Sequence, residues 1–338
     1  MGELWNFFIV GYLSRQFFSG TSFKRKEQVI LMNKKSTFVK WRRYLPLYLM
    51  LIPGVVYIFI NNYIPMAGLI MAFEKYDYKL GMFKSPKIGL DNFTYLFATK
   101  DALNITRNTL LYNAVFIILG NILAITVAVL LNDVRSKTKK KIYQTLILIP
   151  YLISTVIVSY IVYGFLNTQN GFINNSILEP LGKNGIAWYS QPKYWPFIIT
   201  FVYLWKNFGY SSIIYFATVV GIDKTYYEAA VIDGATRWQQ VRYVTLSSLK
   251  PTIITLVLMS IGRIFYSDFG LFYQVPMNSG ALIDVTNTID TYVYRGLTTL
   301  NNVGMSAAAG FYQSIVGFIL VLTANMIVRK VSRENALF

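Results

Sequence analysis

Long runs of apolar residues alternate with short polar stretches along most of this chain. Each run has about 20 residues or more, enough for a helix rising about 1.5 Å per residue to cross a hydrocarbon core about 30 Å thick. The pattern predicts an all-α polytopic membrane protein with six transmembrane helices. We expect these helices near residues 46–70, 110–131, 142–165, 195–220, 251–275 and 307–328.

The polar stretch 221–250, between the fourth and fifth apolar segments, has a helical pattern of its own. It contains two S/T-x-x-E/Q pairs, which match the capping box that satisfies free N–H groups at a helix N-terminus. Gly234 lies between the pairs, and a glycine can adopt the positive φ that ends many helices. We therefore predict two short helices that meet at Gly234, and we call this stretch the elbow. The capping pairs are Thr225 with Glu228 and Thr236 with Gln239.

The second elbow helix has an apolar face. Trp238, Val241 and Val244 recur every three residues along it. Such a face suits docking into a groove of a partner protein. The same spacing also fits an amphipathic connector that rests on the membrane surface.

The composition supports a membrane protein and removes most kinds of enzyme. Hydrophobic residues make up 54% of the chain and charged residues 14%, with a mean hydropathy of +0.43. The sequence has no Cys and no His, so no metal site and no catalytic residue is predicted. It also lacks the G-x-x-x-x-G-K-[ST] loop that holds nucleotide phosphates, so any ATP must be hydrolysed by another protein.

The distribution of the 32 Lys and Arg residues predicts the orientation of the chain. Most of them lie before the first apolar segment, in residues 132–141, in the elbow and at the C-terminus. These four regions fall on one side of a six-helix chain, and an excess of Lys and Arg marks the cytoplasmic side. We expect a multi-pass protein of a bacterial plasma (inner) membrane with both termini and the elbow inside.

The elbow also resembles a known signature. Glu228-Ala229-Ala230, followed after three residues by Gly234, is similar to the E-A-A-x3-G motif of the membrane-spanning subunits of binding-protein-dependent ATP-binding-cassette (ABC) importers, and Asp233 fits the same text. The resemblance implies the type I ABC importer permease fold, in which the elbow is a coupling helix seated in a groove of the cytoplasmic ATPase. It assigns ATPase coupling to these five residues.

One part of the chain departs from that motif. Members of the family usually continue with I-x-L-P, where residues 244–247 read V-T-L-S. Ser247 replaces the proline, so the end of the second elbow helix is less sharply defined, although Pro251 follows soon after.

Further runs resemble the permeases of complex-carbohydrate importers, so the resemblance implies an oligo- or polysaccharide as substrate. It implies as partners a second and distinct permease, two ATPase subunits that use ATP and Mg, and an extracytoplasmic solute-binding protein. The chain itself would bind no cofactor and no nucleic acid. The runs are residues 44–48, 53–54, 89–93, 267–271 and 290–295.

Charged residues inside the apolar segments are candidates for a substrate path. Lys206 and Arg263 are expected near the membrane midplane, and Asp268 could neutralise one of them. A structural ion pair between helices and a contact to a hydroxyl-rich or acidic ligand both fit these positions. Relatives more often carry glycine at the place of Arg263, which would mark an acidic sugar as the ligand of this chain.

Uncharged polar residues in the spans extend the candidate path. Tyr266, Tyr273 and Gln274 lie in the same predicted span as Arg263, and aromatic faces stack well on sugar rings. Tyr273 equally fits an anchor at the membrane interface. Asn113 and Asn121 are expected to form hydrogen bonds between helices.

These predictions divide the chain into four parts. A cytoplasmic leader, whose first 31 residues could precede the natural start, is followed by the first helix with an extracytoplasmic loop. The core permease domain comes next and contains the elbow, and a cytoplasmic tail ends the chain. Their bounds are 1–45, 46–109, 110–328 and 329–338, respectively.

Other functions fit parts of the pattern. The first alternative is an importer permease for another solute, such as a peptide, an amino acid or phosphate. The second is a self-contained secondary transporter, which would need ion-coupling carboxylates in several spans, whereas only Asp268 lies clearly inside one. The third is a membrane-embedded glycan-processing enzyme, which would need paired carboxylates that the spans do not contain.

Overall fold

The computed structural model describes residues 35–331, and the side chains of residues 44–330 other than Tyr95. The possible upstream start within residues 1–31, most of the predicted leader and residues 332–338 of the predicted tail lie outside the described residues. Throughout the described part the regular structure is helical, apart from one isolated β-bridge between Glu74 and Lys87. The prediction of an all-α protein is confirmed.

The first helix, α1, spans Lys35–Ile58 and continues through a π-helical turn at Phe59–Tyr63 to a 3-10 turn at Ala67–Phe73. The other main helices follow in chain order. They are α2 Asp91–Ala98, α3 Asp101–Asp133, α4 Lys137–Leu152, α5 Thr155–Leu166, α6 Trp195–Val220, α7 Lys224–Ile232, α8 Leu246–Ile261, α9 Phe269–Gln274, α10 Ile289–Thr298 and α11 Val303–Val331. A turn of α-helix at Arg237–Gln239 and a π-helical turn at Gln240–Thr245 lead directly into α8.

Four helices in the described part are long and apolar enough to cross a membrane. The α4–α5 pair adds a fifth if it is taken as one bent span, and α6 has the bounds predicted for the fourth segment. Apolar length therefore accounts for four or five spans, and the count of six is not confirmed. The four are Tyr44–Phe73, Asp101–Asp133, Arg237–Ile261 and Val303–Lys330.

The third predicted span is broken. α4 ends at Leu152 and α5 starts at Thr155, and the two helices meet at an angle of 91°. Pro150 lies in the last turn of α4, and the Ser154 hydroxyl caps α5 by accepting from the N–H of Ile157 at 3.3 Å. A continuous helix over 142–165 was therefore the wrong prediction.

The fifth predicted span is broken as well. The helix ends at Ile261, and α9 begins only at Phe269, so residues 262–268 form an unwound segment. Asp268 caps α9 by accepting from the N–H of Leu271 at 3.1 Å. The prediction of one helix over 251–275 is wrong because Asp268 supplies a new helix start inside the apolar run.

The centre of the molecule is the contact between α3 and α6. The Phe116 ring of α3 lies 3.8 Å from the Tyr203 ring of α6, nearly parallel at 6°. Buried side chains of α9 complete this cluster, so the short helix after the break is fixed against the core. The main members are Tyr112, Phe116, Trp195, Ile199, Val202, Leu271 and Phe272.

Gly209 allows α6 to lie directly against α4. A Cβ atom at this position would lie 1.8 Å from the carbonyl oxygen of Ile147, far inside van der Waals contact. Because the obstacle is backbone, it cannot move aside as a flexible side chain could. The close approach of these two helices therefore requires glycine.

We predict that Gly209→Ala lowers the free energy of unfolding by about 1–3 kcal/mol, the usual cost of overpacking. Gly164→Ala is the matched control, since a Cβ at Gly164 of α5 meets nothing within 4 Å. Thermal unfolding of the two purified variants in the same detergent compares them directly. Equal melting temperatures for both would contradict the close approach.

Candidate functional site

The elbow begins with a cap that differs from the prediction. The side chain of Asp223 caps α7 by accepting from the N–H of Thr225 at 3.0 Å, so Thr225 lies inside the helix. The capping box of Thr225 with Glu228 is therefore wrong. The hydrogen bonds from the backbone and side chain of Thr225 hold the pKa of Asp223 below its usual range.

The first elbow helix ends at Gly234, as predicted. Gly234 has φ +77°, its N–H donates to the carbonyl of Val231 at 3.0 Å, and the N–H of Ala235 donates to the carbonyl of Ala230 at 2.9 Å. This pair of bonds is the Schellman motif, which satisfies the last carbonyls of a helix. No atom lies within 4 Å of a Cβ placed at Gly234, so the requirement for glycine comes from the backbone conformation.

The second elbow helix begins with the capping box that was predicted. Thr236 and Gln239 satisfy each other's backbone N–H groups. The Tyr227 hydroxyl lies 2.9 Å from the Thr245 hydroxyl, and the Gln240 amide donates to the Ala235 carbonyl at 3.1 Å. These bonds fix the angle between the two arms of the elbow.

The elbow presents its signature residues to the surroundings. Glu228, Ala229, Asp233 and Gly234 are exposed, and Ala230 is partly exposed. Large apolar side chains around them are also exposed, with Ile232 85% and Trp238 68% accessible. An exposed apolar surface on a rigid helical corner is typical of a protein docking site.

The unwound segment 262–268 is held by side chains from two other helices. The Asn113 amide of α3 donates to the carbonyls of Ile264 and Tyr266, each at 2.9 Å. The Gln313 amide of α11 donates to the carbonyl of Phe265 at 2.8 Å. Three consecutive unwound carbonyls therefore have partners, which non-helical backbone at membrane depth requires. We call this segment the break.

Asp290 of α10 fastens the other end of the break. Its carboxylate accepts from the backbone N–H and the hydroxyl of Ser267, both at 2.7 Å, and from Gln313 at 3.2 Å. Sequence reasoning missed Asp290 and Gln313 as supporting residues. The signal for Gln313 was an amide side chain in a mostly apolar helix.

Lys206 lies at the other interruption, between α4 and α5. Its side chain is buried, and its ammonium donates to the carbonyl of Ile153. Asp268 instead caps α9. Lys206 and Asp268 thus bond to the backbone at two different helix ends, and they do not form the ion pair that the sequence also allowed. The interhelical hydrogen bond expected of Asn121 does form, with the Tyr215 hydroxyl of α6 as donor. Asn113 instead bonds to carbonyls of the unwound break.

The other candidate path residues gather on the break and α9. Arg263 and Asp268 are exposed, whereas Tyr266, Tyr273 and Gln274 are partly exposed. Both charged residues lie within electrostatic range of the Tyr203 hydroxyl on α6. Five of the six candidates therefore lie on the break and the short helix that follows it, and all five are at least partly accessible in the single subunit.

Comparison with protein families decides the identity of the fold. Residues 109–333 match the family described as binding-protein-dependent transport system inner membrane component. The chain belongs to this family. It is accordingly a membrane protein and a permease subunit rather than an enzyme, and the ATPase of such a system is a separate subunit.

Two relatives from Bacillus subtilis resemble this permease over most of its length. Protein LplB is 34% identical over 289 residues, which cover 86% of this chain and 90% of LplB. The polygalacturonan/rhamnogalacturonan transport system permease protein YteP is 33% identical over 302 residues, which cover 89% of this chain and 93% of YteP.

A solved structure also matches the permease over most of its length. It is a chain of a bacterial ABC transporter involved in the import of the acidic polysaccharide alginate, with a TM-score of 0.80 and 31% sequence identity. The match covers 88% of this chain and 99% of that chain. The same transporter was also solved in complex with a periplasmic protein that carries an alginate pentasaccharide.

We predict that Asn113→Ala destabilises the permease by about 2–4 kcal/mol, because two partly buried carbonyls of the break lose their donor. Asn61→Ala is the control, since the Asn61 amide bonds only to the carbonyl of Tyr57 in its own helix. Thermal unfolding in detergent measures both variants. If Asn113→Ala melts with the wild type, the amide does not hold the break.

Proposed function

We propose that this chain is one permease subunit of an ATP-driven importer that carries an oligo- or polysaccharide across a bacterial plasma membrane. The observation that carries this proposal is its likeness, over nearly the whole of both chains, to a subunit of the alginate importer. YteP, which is described as a polygalacturonan/rhamnogalacturonan transport permease, supports the same class of substrate. The descriptions of YteP and of the alginate importer both name polysaccharides that contain sugar acids.

The proposed assembly has a second, distinct permease, two ATPase subunits that bind ATP and Mg, and an extracytoplasmic solute-binding protein. The lack of a nucleotide-binding loop in the sequence supports separate ATPases. The periplasmic protein bound to the alginate importer supports a binding protein. The chain itself holds no cofactor.

We place both termini and the elbow in the cytoplasm. Lys and Arg are concentrated in residues 132–141, the elbow and the ends of the chain, and such residues favour the inner side. In this orientation the exposed elbow faces the ATPase, and Glu228, Ala229, Ala230, Asp233 and Gly234 form the coupling contact.

The proposed mechanism is alternating access driven through one helix. The second elbow helix runs without interruption from Arg237 to Ile261, about 37 Å at 1.5 Å per residue. Its far end is the break. A displacement of the elbow by the closing ATPase is therefore transmitted along this helix to the unwound segment, where the path opens to one side of the membrane or the other.

We assign the substrate path to the accessible residues of this region. Arg263, Asp268 and Gln274 offer hydrogen bonds to hydroxyl or carboxylate groups, and Tyr266 and Tyr273 offer ring faces. Lys206 completes the predicted set from the neighbouring interruption, where it holds the end of α4.

The alternative functions differ in how well they fit. A self-contained secondary transporter is disfavoured, because the family works with a binding protein. Import of a peptide, an amino acid or phosphate fits the family, and the ligand of the binding protein distinguishes it from sugar import.

We predict that Gly234→Val reduces ATPase stimulation by sugar-loaded binding protein about tenfold, because a side chain at positive φ costs roughly 1–2 kcal/mol. Gly234→Asn should retain most of it, since Asn tolerates this conformation. The assay uses the complete transporter purified with its ATPase, second permease and binding protein.

Gly182→Val is the matched control. Gly182 has φ +68° and no atom within 4 Å of a Cβ, but it lies in the loop between α5 and α6, away from the elbow. Stimulation should be unchanged in this variant. If no carbohydrate-loaded binding protein stimulates the wild type, sugar import is wrong. If Gly234→Val is stimulated normally, the elbow does not couple.

We also predict that Arg263→Gln reduces uptake of an oligogalacturonide about tenfold and uptake of a neutral oligosaccharide of equal length less than twofold, because it removes a charge-assisted hydrogen bond. Uptake into proteoliposomes measures both. Arg107→Gln, outside the break, serves as control. Equal losses for acidic and neutral sugars would rule out recognition of the acid group.

A further inference from the structure

Three aromatic rings converge beyond the break. Phe269 and Tyr273 lie one turn apart on α9, and their rings stack with centroids 5.1 Å apart at 17°. Tyr294 of α10 closes the group, with its ring 4.7 Å from Phe269 and 5.0 Å from Tyr273. We call these residues the aromatic trio.

The trio is separate from the hydrophobic core. Leu271 and Phe272 point from the same helix into the core and are 1% and 0% exposed. Phe269 and Tyr273 remain partly exposed, and Tyr294 is 38% exposed. α9 therefore uses one face to attach itself to the protein and leaves the other face, with the trio, accessible.

Arg295 contacts the Tyr273 ring of the trio. Its guanidinium carbon lies 5.8 Å from the centre of the Tyr273 ring. The same side chain donates to the amide oxygens of Asn278 at 3.0 Å and Asn287 at 2.6 Å. Asn287 is buried, so the arginine is anchored to the interior. Rings held in place in this way lose little conformational freedom when a ligand binds.

The trio lies beside residues of the proposed path. Phe269 directly follows Asp268, the last residue of the break, and Tyr273 already belongs to the path. The helix from the elbow leads into the break, and α9 follows the break directly in the chain. The trio is therefore next to the break and shares Tyr273 with the proposed path.

We propose that Phe269, Tyr273 and Tyr294 form a carbohydrate subsite that binds a sugar ring next to the break. The C–H groups on the face of a pyranose carry a slight positive charge, and the faces of aromatic rings are negative. A partly exposed, braced group of three rings supplies such faces. This inference rests on the proposed import of an oligo- or polysaccharide.

The first test measures sugar imported per ATP hydrolysed, with the complete transporter in proteoliposomes and binding protein saturated with a five-unit oligogalacturonide. Tyr273→Leu and Tyr294→Leu should each lower this ratio about five- to tenfold, because sugar is captured poorly after release. Tyr273→Phe and Tyr294→Phe keep the ring and should stay within about twofold.

Phe165→Leu is the matched control. The Phe165 and Phe172 rings lie 5.5 Å apart and are 47% and 51% exposed, but they are on and after α5 rather than at the break. The ratio should not change in this variant. An equal fall in Phe165→Leu, an equal fall in the Phe variants, or normal ratios in the Leu variants would each overturn the subsite.

A second measurement leaves the trio intact. The sequence has no cysteine, so Leu297→Cys, one turn after Tyr294 and 42% exposed, introduces a unique thiol. The oligogalacturonide should slow its reaction with a maleimide at least about threefold, and should not slow the reaction of Phe165→Cys. Unchanged labelling of Leu297→Cys overturns the subsite. If unloaded and loaded binding protein stimulate the wild-type ATPase equally, the proposed import fails first.

Discussion

The structure depends on the need to satisfy backbone polar groups wherever a membrane helix is interrupted. In a hydrocarbon environment an unpaired carbonyl has no water to bond with, and each buried one costs about 1–3 kcal/mol. Within residues 35–331 two of the predicted spans are interrupted, and both interruptions are supplied with donors from neighbouring helices. Asn113 and Gln313 hold the break, and Lys206 holds the end of α4.

The same interruptions make the residues of the proposed path accessible. In a continuous helix the carbonyls point along the axis and bond to N–H groups of the same helix, so only side chains face the surroundings. In an unwound segment both side chains and backbone groups can face the surroundings. Here the unwinding exposes Arg263 and Asp268, which would be costly on a lipid-facing helix. The polar residues that support the break and those that can meet a solute are thus neighbours for one physical reason.

Local chemistry decided which parts of the structure the sequence could predict. Gly234 and the capping box of Thr236 with Gln239 act within a few residues of themselves, and both were predicted correctly. The start of α7 was wrong, because Asp223 and Thr225 are both good capping residues and the spacing could not choose between them. The two helix interruptions were missed because the length of an apolar run does not show where a helix ends within that run. Asp268 was considered only as a charge, although it is also a helix cap.

The elbow and the break require opposite mechanical properties, and the residues at each place supply them. The elbow must be stiff if it is to transmit a movement, and it is fixed by the Schellman motif at Gly234, by the capping box and by the bond between Tyr227 and Thr245. The break keeps a few short backbone bonds of its own, such as that from the N–H of Tyr266 to the carbonyl of Arg263 at 2.9 Å. It is otherwise held by side chains of neighbouring helices, whose hydrogen bonds can be exchanged for other partners without any change in covalent structure. In the proposed mechanism, a rigid corner joined by one continuous helix to a segment held by replaceable bonds would convert a movement outside the membrane into a rearrangement inside it.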